Sequence, residues 1–152
     1  MTDFNILRKR YSEVLCGRGH SGKRTADCIL RSDERTEQRL AQLDTRIEKA
    51  ITSNEPGIVN ATLKGILDIS TSFSQNNSRF YHDENIKNKI FNALNALEKV
   101  YNDTIAPQGN WWYWEIGIPL SLNSIFTLMY DYADKSQLKR YMAAERHFND
   151  RI

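Results

Sequence analysis

The sequence has few of the residues that characterise disulfide-rich, collagen-like or disordered chains. Of its 152 residues, only two are cysteine, three are proline and seven are glycine. Hydrophobic residues make up 40% and charged residues 26%, and the 21 basic and 19 acidic side chains leave a net charge of +2. This composition predicts one globular domain or part of one. A net charge so close to zero argues against a dedicated nucleic-acid-binding protein, which carries a basic surface.

Long apolar segments are also missing. No apolar run approaches the roughly 20 residues that a helix needs to cross a bilayer. The first residues, 1–5, show no basic segment followed by an apolar one, so no signal peptide is visible. We therefore expect no transmembrane helix and no membrane partner.

The cysteines and histidines are too scattered to predict a metal site. Cys16 and Cys28 form no CxxC pair, and the histidines stand alone at His20, His82 and His147. We expect two free thiols, with a Cys16–Cys28 disulfide as the alternative in an oxidising compartment. Neither a metal nor an organic cofactor is expected.

The common catalytic motifs are absent: there is no HExxH, no GxSxG, and no GxGxxG after a strand. The nearest approach is GRGHSGKR at residues 17–24, which resembles a phosphate-binding loop. Arg24 occupies the position of the required hydroxyl residue, and an amphipathic helix replaces the strand that should come before the loop. We interpret the segment as a basic loop.

Hydrophobic residues recur every three or four positions along the chain, which predicts an all-α fold. Asp3, Asp83 and Asp134 are predicted N-caps, and Gly17 is a predicted helix stop. The predicted helices cover 3–16, 32–52, 59–75, 83–102 and 111–130, with a sixth after Asp134. The apolar face of the first helix is formed by Phe4, Leu7, Tyr11, Val14 and Leu15. Short connections predict antiparallel neighbours.

All three tryptophans lie in one segment, NWWYWEIGIPL at residues 110–120. Adjacent residues on a helix point about 100° apart, so the rings of residues 111–114 cannot all face one core. We predict that Trp114 is a core residue and that Trp111 and Trp112 form a stacking platform for sugar rings. Asn110 can hydrogen-bond sugar hydroxyls beside them. Pro119 is predicted either to begin a regular helix or to kink one.

This segment resembles the signature of polysaccharide lyase family 8, which includes hyaluronate, chondroitin AC and xanthan lyases. Those enzymes carry a stretch close to NWWDWEIGIP, followed by positions that match Leu122 and Asn123. Segments 3–8, 15–17, 137–141 and 147–148 are similar more loosely and occur in family order. The resemblance implies that residues 1–152 are the N-terminal segment of a lyase α-helical domain. Its helical hairpins would form part of an incomplete (α/α) toroid, with the downstream catalytic and β-sandwich regions absent.

The resemblance also implies a partner and a chemistry. The partner is an acidic, uronate-containing polysaccharide, with hyaluronan, chondroitin and xanthan all as candidates. Cleavage is a β-elimination in which an Asn engages the uronate carboxylate and a Tyr/His pair transfers protons. Asn110, Trp111 and Trp112 match substrate-binding positions, and Lys64 is a candidate contact where the family has an arginine-containing stretch. Tyr113 stands where the family has Asp.

No residue is assigned a catalytic role, because the family's catalytic Asn, His and Tyr lie downstream of the signature. The chain alone is therefore expected to be inactive. The family is typically secreted, which implies an extracellular location. Two other interpretations stay open: a non-catalytic carbohydrate-binding helical protein, and a degenerate truncated product with unpaired apolar faces.

Overall fold

A computed structural model describes residues 2–17 and 26–150, and every regular element in those ranges is helical. In chain order the elements are α1 (Asp3–Leu15), α2 (Ala26–Ser53), α3 (Pro56–Ser74), α4 (Glu84–Leu97), a π-helical turn (Tyr113–Gly117), α5 (Ile118–Met129) and α6 (Lys135–Asn149). The predicted all-α fold is confirmed. Most of the predicted basic loop at 17–24 lies outside the described residues.

Several helix boundaries differ from the prediction. Helix α3 begins at Pro56 rather than at residue 59, since a proline suits the first helical position, and α5 begins at Ile118 rather than at residue 111. Helix α2 begins at Ala26 rather than at residue 32, because its inward stripe extends back through the buried Ile29. Helix α4 ends at Leu97 rather than at residue 102. The chain turns there because the Asn102 side chain donates to the carbonyl oxygen of Glu98 at 2.7 Å and accepts from the Thr104 N–H at 2.9 Å.

Aspartates cap two of the helices as predicted. The Asp83 carboxylate accepts the N–H groups of Asn85 and Ile86 at 2.8 and 3.1 Å, and that of Asp134 accepts the Ser136 N–H at 3.0 Å. The prediction for Asp3 was wrong by one position. Thr2 occupies the N-cap, and Asp3 lies in the first turn of α1, where its negative charge interacts favourably with the positive end of the helix dipole.

The core is organised around α3, which packs against α2, α4 and α5. Its Leu63, Ile66 and Ile69 are almost completely buried, as are the inward residues of α5, Ile118, Leu122 and Ile125. Burying each such side chain contributes about 1.5–3 kcal/mol. Since α3 and α5 both carry continuous apolar faces, they fix the position of the segment that enters α5.

Helix α1 makes polar contacts with α5 and with the turn that follows it. The Tyr11 hydroxyl lies 3.1 Å from Ser124 Oγ, and Arg8 pairs with Asp131 at 3.1 Å. Leu15 of the predicted apolar face packs against the core, but Phe4 and Leu7 are 56% and 64% exposed. Phe4 and Leu7 line a groove of about 560 Å³ together with residues of α5 and α6.

Helix length and composition also bear on membrane insertion. In the ranges 2–17 and 26–150, no helix combines the length and apolar character required to span a bilayer.

The two cysteines lie in different environments, since Cys16 is buried at the end of α1 and Cys28 is exposed on α2.

Candidate functional site

The aromatic segment, residues 110–114, lies between the loop after α4 and the start of α5. Asn110 begins it, and its Oδ1 accepts the N–H of Trp112 at 3.0 Å. The side chain predicted to contact sugars therefore also orients the following turn. This contact uses only the amide oxygen, so the amide nitrogen of the exposed Asn110 remains the group that can donate to a ligand.

The three tryptophans have different environments. Trp111 is 59% exposed, Trp112 is half-buried and Trp114 is 2% exposed. Trp114 packs against Tyr101 and Phe148, and its Nε1–H donates to the carbonyl oxygen of Gln108 at 2.7 Å. The prediction that Trp114 belongs to the core is confirmed.

A π-helical turn at Tyr113–Gly117 joins the aromatic segment to α5. The Ile118 N–H donates to the carbonyl oxygen of Tyr113, five residues earlier. Pro119 has no N–H with which to bond the Glu115 carbonyl, so the usual four-residue pattern cannot pass through this position. Pro119 stands in the first turn of α5, which answers the question left open by the sequence: it begins a regular helix.

The aromatic segment rests on the first turns of α3. A Cβ atom added to Gly57 would lie 3.4 Å from the Tyr113 ring, and one added to Gly117 would lie 2.6 Å from Trp112 Cζ3. The Trp112 and Tyr113 rings meet edge to face, with centroids 5.4 Å apart. Both rings thus lie against glycines, which allow the close approach of α3 and α5 in this region.

Asn60 lies beneath this contact. Its side chain is on α3 and 3% exposed, and among the described residues its Oδ1 has no hydrogen-bond partner. A Cβ atom on Gly117 would lie 3.2 Å from that oxygen. Sequence reasoning did not identify Asn60, although its spacing of three from Gly57 on a helix places both on one face.

Lys64 is exposed on α3, four residues after Asn60, and a helix rises about 6 Å over that interval. None of the five ion pairs seen between described residues involves it. Its neighbour Gly65 faces Arg39, whose Nε pairs with Asp68 at 3.0 Å. The Arg39 guanidinium is therefore already paired with a carboxylate, whereas Lys64 presents its charge to solvent.

A buried carboxylate lies behind the aromatic segment. Glu145 on α6 is 9% exposed, and its burial raises its pKa to about 7, against an opposing hydrogen bond from Asn123. The pKa of Tyr101 is also raised, first by burial and then by the charge of Glu145. Sequence reasoning missed Glu145, yet it shares the inward stripe of α6 with Tyr141 and Phe148, a signal that spacing alone provides.

The two described histidines, His82 and His147, lie in different parts of the fold. His147 Nε2 donates to the carbonyl oxygen of Ile105 at 2.9 Å and so links α6 to the loop before the aromatic segment. His82 follows α3, at the end opposite to Gly57, and stacks on Tyr81. His20 lies outside the described residues. Within the ranges that the structure describes, no group of His, Cys, Asp or Glu side chains could hold a metal ion.

Comparison with known sequences gives consistent matches. The model of "Polysaccharide lyase family 8, N terminal alpha-helical domain" matches residues 27–151. A xanthan lyase of Bacillus sp. (strain GL1) is 27% identical over 161 aligned positions, which cover 99% of this chain and 17% of that protein. A hyaluronate lyase of Thermasporomyces composti is 24% identical, with 97% of this chain and 20% of that protein covered. The chain thus spans about a fifth of the length of these curated relatives.

Comparison with solved structures supports the same fold. The Streptomyces coelicolor A3 chondroitin AC lyase in complex with chondroitin sulphate superimposes with a TM-score of 0.74 at 20% identity, covering 95% of this chain and 20% of that one. Paenibacillus xanthan lyase gives a TM-score of 0.70 at 20% identity, covering 96% and 15%. The helical hairpins observed here are accordingly those of part of an (α/α) toroid. Because the family model covers most of the chain, the protein belongs to polysaccharide lyase family 8.

Proposed function

We propose that this chain supplies part of the substrate-binding face of a polysaccharide lyase that acts on an acidic, uronate-containing polysaccharide. The observation that carries the proposal is the pair Trp111 and Trp112, one exposed and one half-buried, at the junction of α3 and α5. Residues 1–152 would then be the N-terminal segment of the toroid domain. An extracellular location fits such a substrate.

The rings suit sugar binding for a physical reason. The exposed face of Trp111 offers a flat apolar surface to the C–H groups of a pyranose ring, and the Asn110 amide nitrogen lies next to it in sequence as a donor for hydroxyls. Removing apolar area from water contributes about 25 cal/mol per Å². Stacking therefore provides affinity, and the polar neighbour provides orientation.

Lys64 is proposed as the contact for the uronate carboxylate. It lies on α3, the helix that forms the floor beneath Trp112, and it is exposed. An exposed ion pair contributes only about 0–1 kcal/mol. The rings must therefore provide most of the binding free energy, and Lys64 the preference for acidic chains.

The chain by itself is proposed to bind without cleaving. β-Elimination requires a base for the proton next to the uronate carboxyl group and an acid for the leaving oxygen. His82 stacks on Tyr81 beyond the far end of α3, and His147 is engaged with the backbone carbonyl of Ile105. The relatives named xanthan, hyaluronate and chondroitin AC lyases support the reaction class for the whole protein.

The test is a calorimetric titration of the chain with oligosaccharides of hyaluronan, chondroitin and xanthan. A parallel assay measures formation of the unsaturated-uronate chromophore. We expect weak binding of at least one acidic oligosaccharide, a loss of at least fivefold in affinity for Trp111→Ala and for Trp112→Ala, and no chromophore. Tyr81→Ala is the matched control, because Tyr81 is an exposed ring at the opposite end of α3. Equal affinity in all three variants would overturn the proposed platform, and turnover would overturn the proposed inactivity.

A further inference from the structure

The contact between Gly117 and Trp112 is closer than the contacts at Gly57 and Gly65. A Cβ atom at Gly117 would lie 2.6 Å from Trp112 Cζ3 and 3.1 Å from Cε3. At Gly57 and Gly65 the corresponding nearest distances are 3.4 Å. Of these three glycines, Gly117 alone leaves too little room for a Cβ atom beside its neighbour, an aromatic ring.

The π-helical turn brings these two residues together. Trp112 and Gly117 are five residues apart, and in an α-helix that separation places side chains about 140° apart around the axis. A π-helical turn closes its hydrogen bond over five residues, as between Ile118 and Tyr113 here, and so brings residues at that separation nearly above one another. The wider turn therefore moves Gly117 beneath the Trp112 ring.

Gly117 also faces Asn60 of α3. Asn60 Oδ1 would be 3.2 Å from the added Cβ, and Asn60 is 3% exposed in the helix that anchors the core. Trp112 is half-buried, so its ring has solvent on one side. A methyl group at position 117 would therefore displace the ring of Trp112 rather than helix α3.

We infer that Gly117 is a positioning residue: together with the π-helical turn and the wall formed by Asn60, it sets the orientation of the Trp112 ring that the sugar platform requires. The binding part of this inference rests on the proposed function. The positioning of the Trp112 ring by Gly117 does not depend on the proposed function and is tested separately by NMR.

The first experiment labels the chain with 5-fluorotryptophan and records ¹⁹F NMR spectra. The three tryptophans give three resonances, assigned by single Trp→Phe variants. In Gly117→Ala we expect the Trp112 resonance to shift and that of Trp114 to stay in place. Gly65→Ala is the control, because its Cβ meets only the flexible Arg39 side chain at 3.4 Å. An unchanged Trp112 resonance in Gly117→Ala would overturn the inference.

The second experiment is a double-mutant cycle on thermal stability, which remains informative if Gly117→Ala is only marginally folded. If the ring is what the methyl group displaces, Gly117→Ala should lower the melting temperature much less in a Trp112→Ala background than in the wild type. Equal decreases in the two backgrounds would place the clash elsewhere and contradict the inference.

The third experiment measures oligosaccharide affinity at a temperature where all variants are folded. We expect Gly117→Ala to lose about tenfold, close to the loss for Trp112→Ala, and Gly65→Ala to lose nothing. A shifted resonance with unchanged affinity would overturn the role of the ring orientation in binding. If the wild-type chain bound none of the three oligosaccharides, the proposed function would fail, while the resonance and the cycle would still decide whether Gly117 positions the ring.

Discussion

The Tyr101 and Trp114 rings lie nearly parallel, with centroids 6.1 Å apart, and the Tyr101 hydroxyl donates to the carbonyl oxygen of Trp114 at 3.2 Å. One residue thus contacts the ring and the backbone of the π-helical turn that precedes α5. Tyr101 is 1% exposed, so this contact is made away from solvent.

Replacing Tyr101 by Phe should therefore test how firmly the aromatic segment is held. We expect the free energy of unfolding to fall by about 1–2 kcal/mol, because a buried carbonyl oxygen loses its partner. At this chain length that is about 2–4 °C in melting temperature for each kcal/mol. Urea denaturation measures the change, with the exposed Tyr132→Phe as control. A loss no larger than that of the control would contradict the structural role given to the hydroxyl.

Glu145 should make stability depend on pH. Its pKa is about 7 in the folded protein and ordinarily 4.5, so the folded state binds the proton more tightly than the unfolded state does. The stabilisation from protonation is complete below about pH 4.5 and declines as the pH rises to about 7. The free energy of unfolding of the wild type should decrease across this window relative to Glu145→Gln.

The measurement is urea unfolding at intervals between pH 4.5 and 8 for both proteins. Asn123→Ala sharpens it: the Asn123 hydrogen bond lowers the pKa of Glu145, so its removal should extend the decline to higher pH. If the free energy of unfolding changed with pH in the same way in the wild type and in Glu145→Gln, the Glu145 carboxyl group would not be the cause of the pH dependence.

Lys64→Gln should weaken binding of acidic oligosaccharides by about two- to fivefold at low salt, because one exposed ion pair is worth at most about 1 kcal/mol. The difference should shrink at 0.5 M salt, where charges are screened beyond a few ångströms. Lys99→Gln, on an exposed lysine of the turn after α4, is the matched control. Equal effects of the two substitutions would remove Lys64 from the proposed site.

The N-cap of α4 gives a prediction that concerns the fold alone. Asp83→Ala should lower the free energy of unfolding by about 0.5–2 kcal/mol, since Asp83 satisfies two backbone N–H groups. Asp83→Asn keeps an acceptor and should restore most of the loss. Calorimetric melting of the three proteins checks this, and identical melting temperatures would mean that the cap contributes nothing.

Much of the fold could be predicted because it depends on local patterns. The spacing of Leu63, Ile66 and Ile69 identifies the buried face of α3, and Asp83 and Asp134 identify helix starts. Helix geometry also shows that the four consecutive rings cannot all face the core, whereas which of them is buried depends on tertiary packing.

The features that could not be predicted depend on tertiary contacts. The π-helical turn occurs together with Pro119 and with the packing of Trp112 beside Gly117, and a hydrophobic pattern records neither the turn nor that packing. The apolar face of α1 was correctly identified as a pattern, but the pattern does not say whether another element covers it. Asp3 and Thr2 are both reasonable N-caps, and choosing between adjacent residues needs coordinates.

The central position of α3 has a practical consequence for handling this protein. The helix has 19 residues, so its ends are about 28 Å apart. Trp112 and Tyr113 lie over its beginning, and Tyr81 and His82 follow its end. A dye or surface linker attached at residues 76–77, or an affinity tag inserted there, would lie at the other end of α3 from Trp112. That distance is several Debye lengths at physiological ionic strength. Immobilisation through that loop should leave the aromatic segment facing the solution.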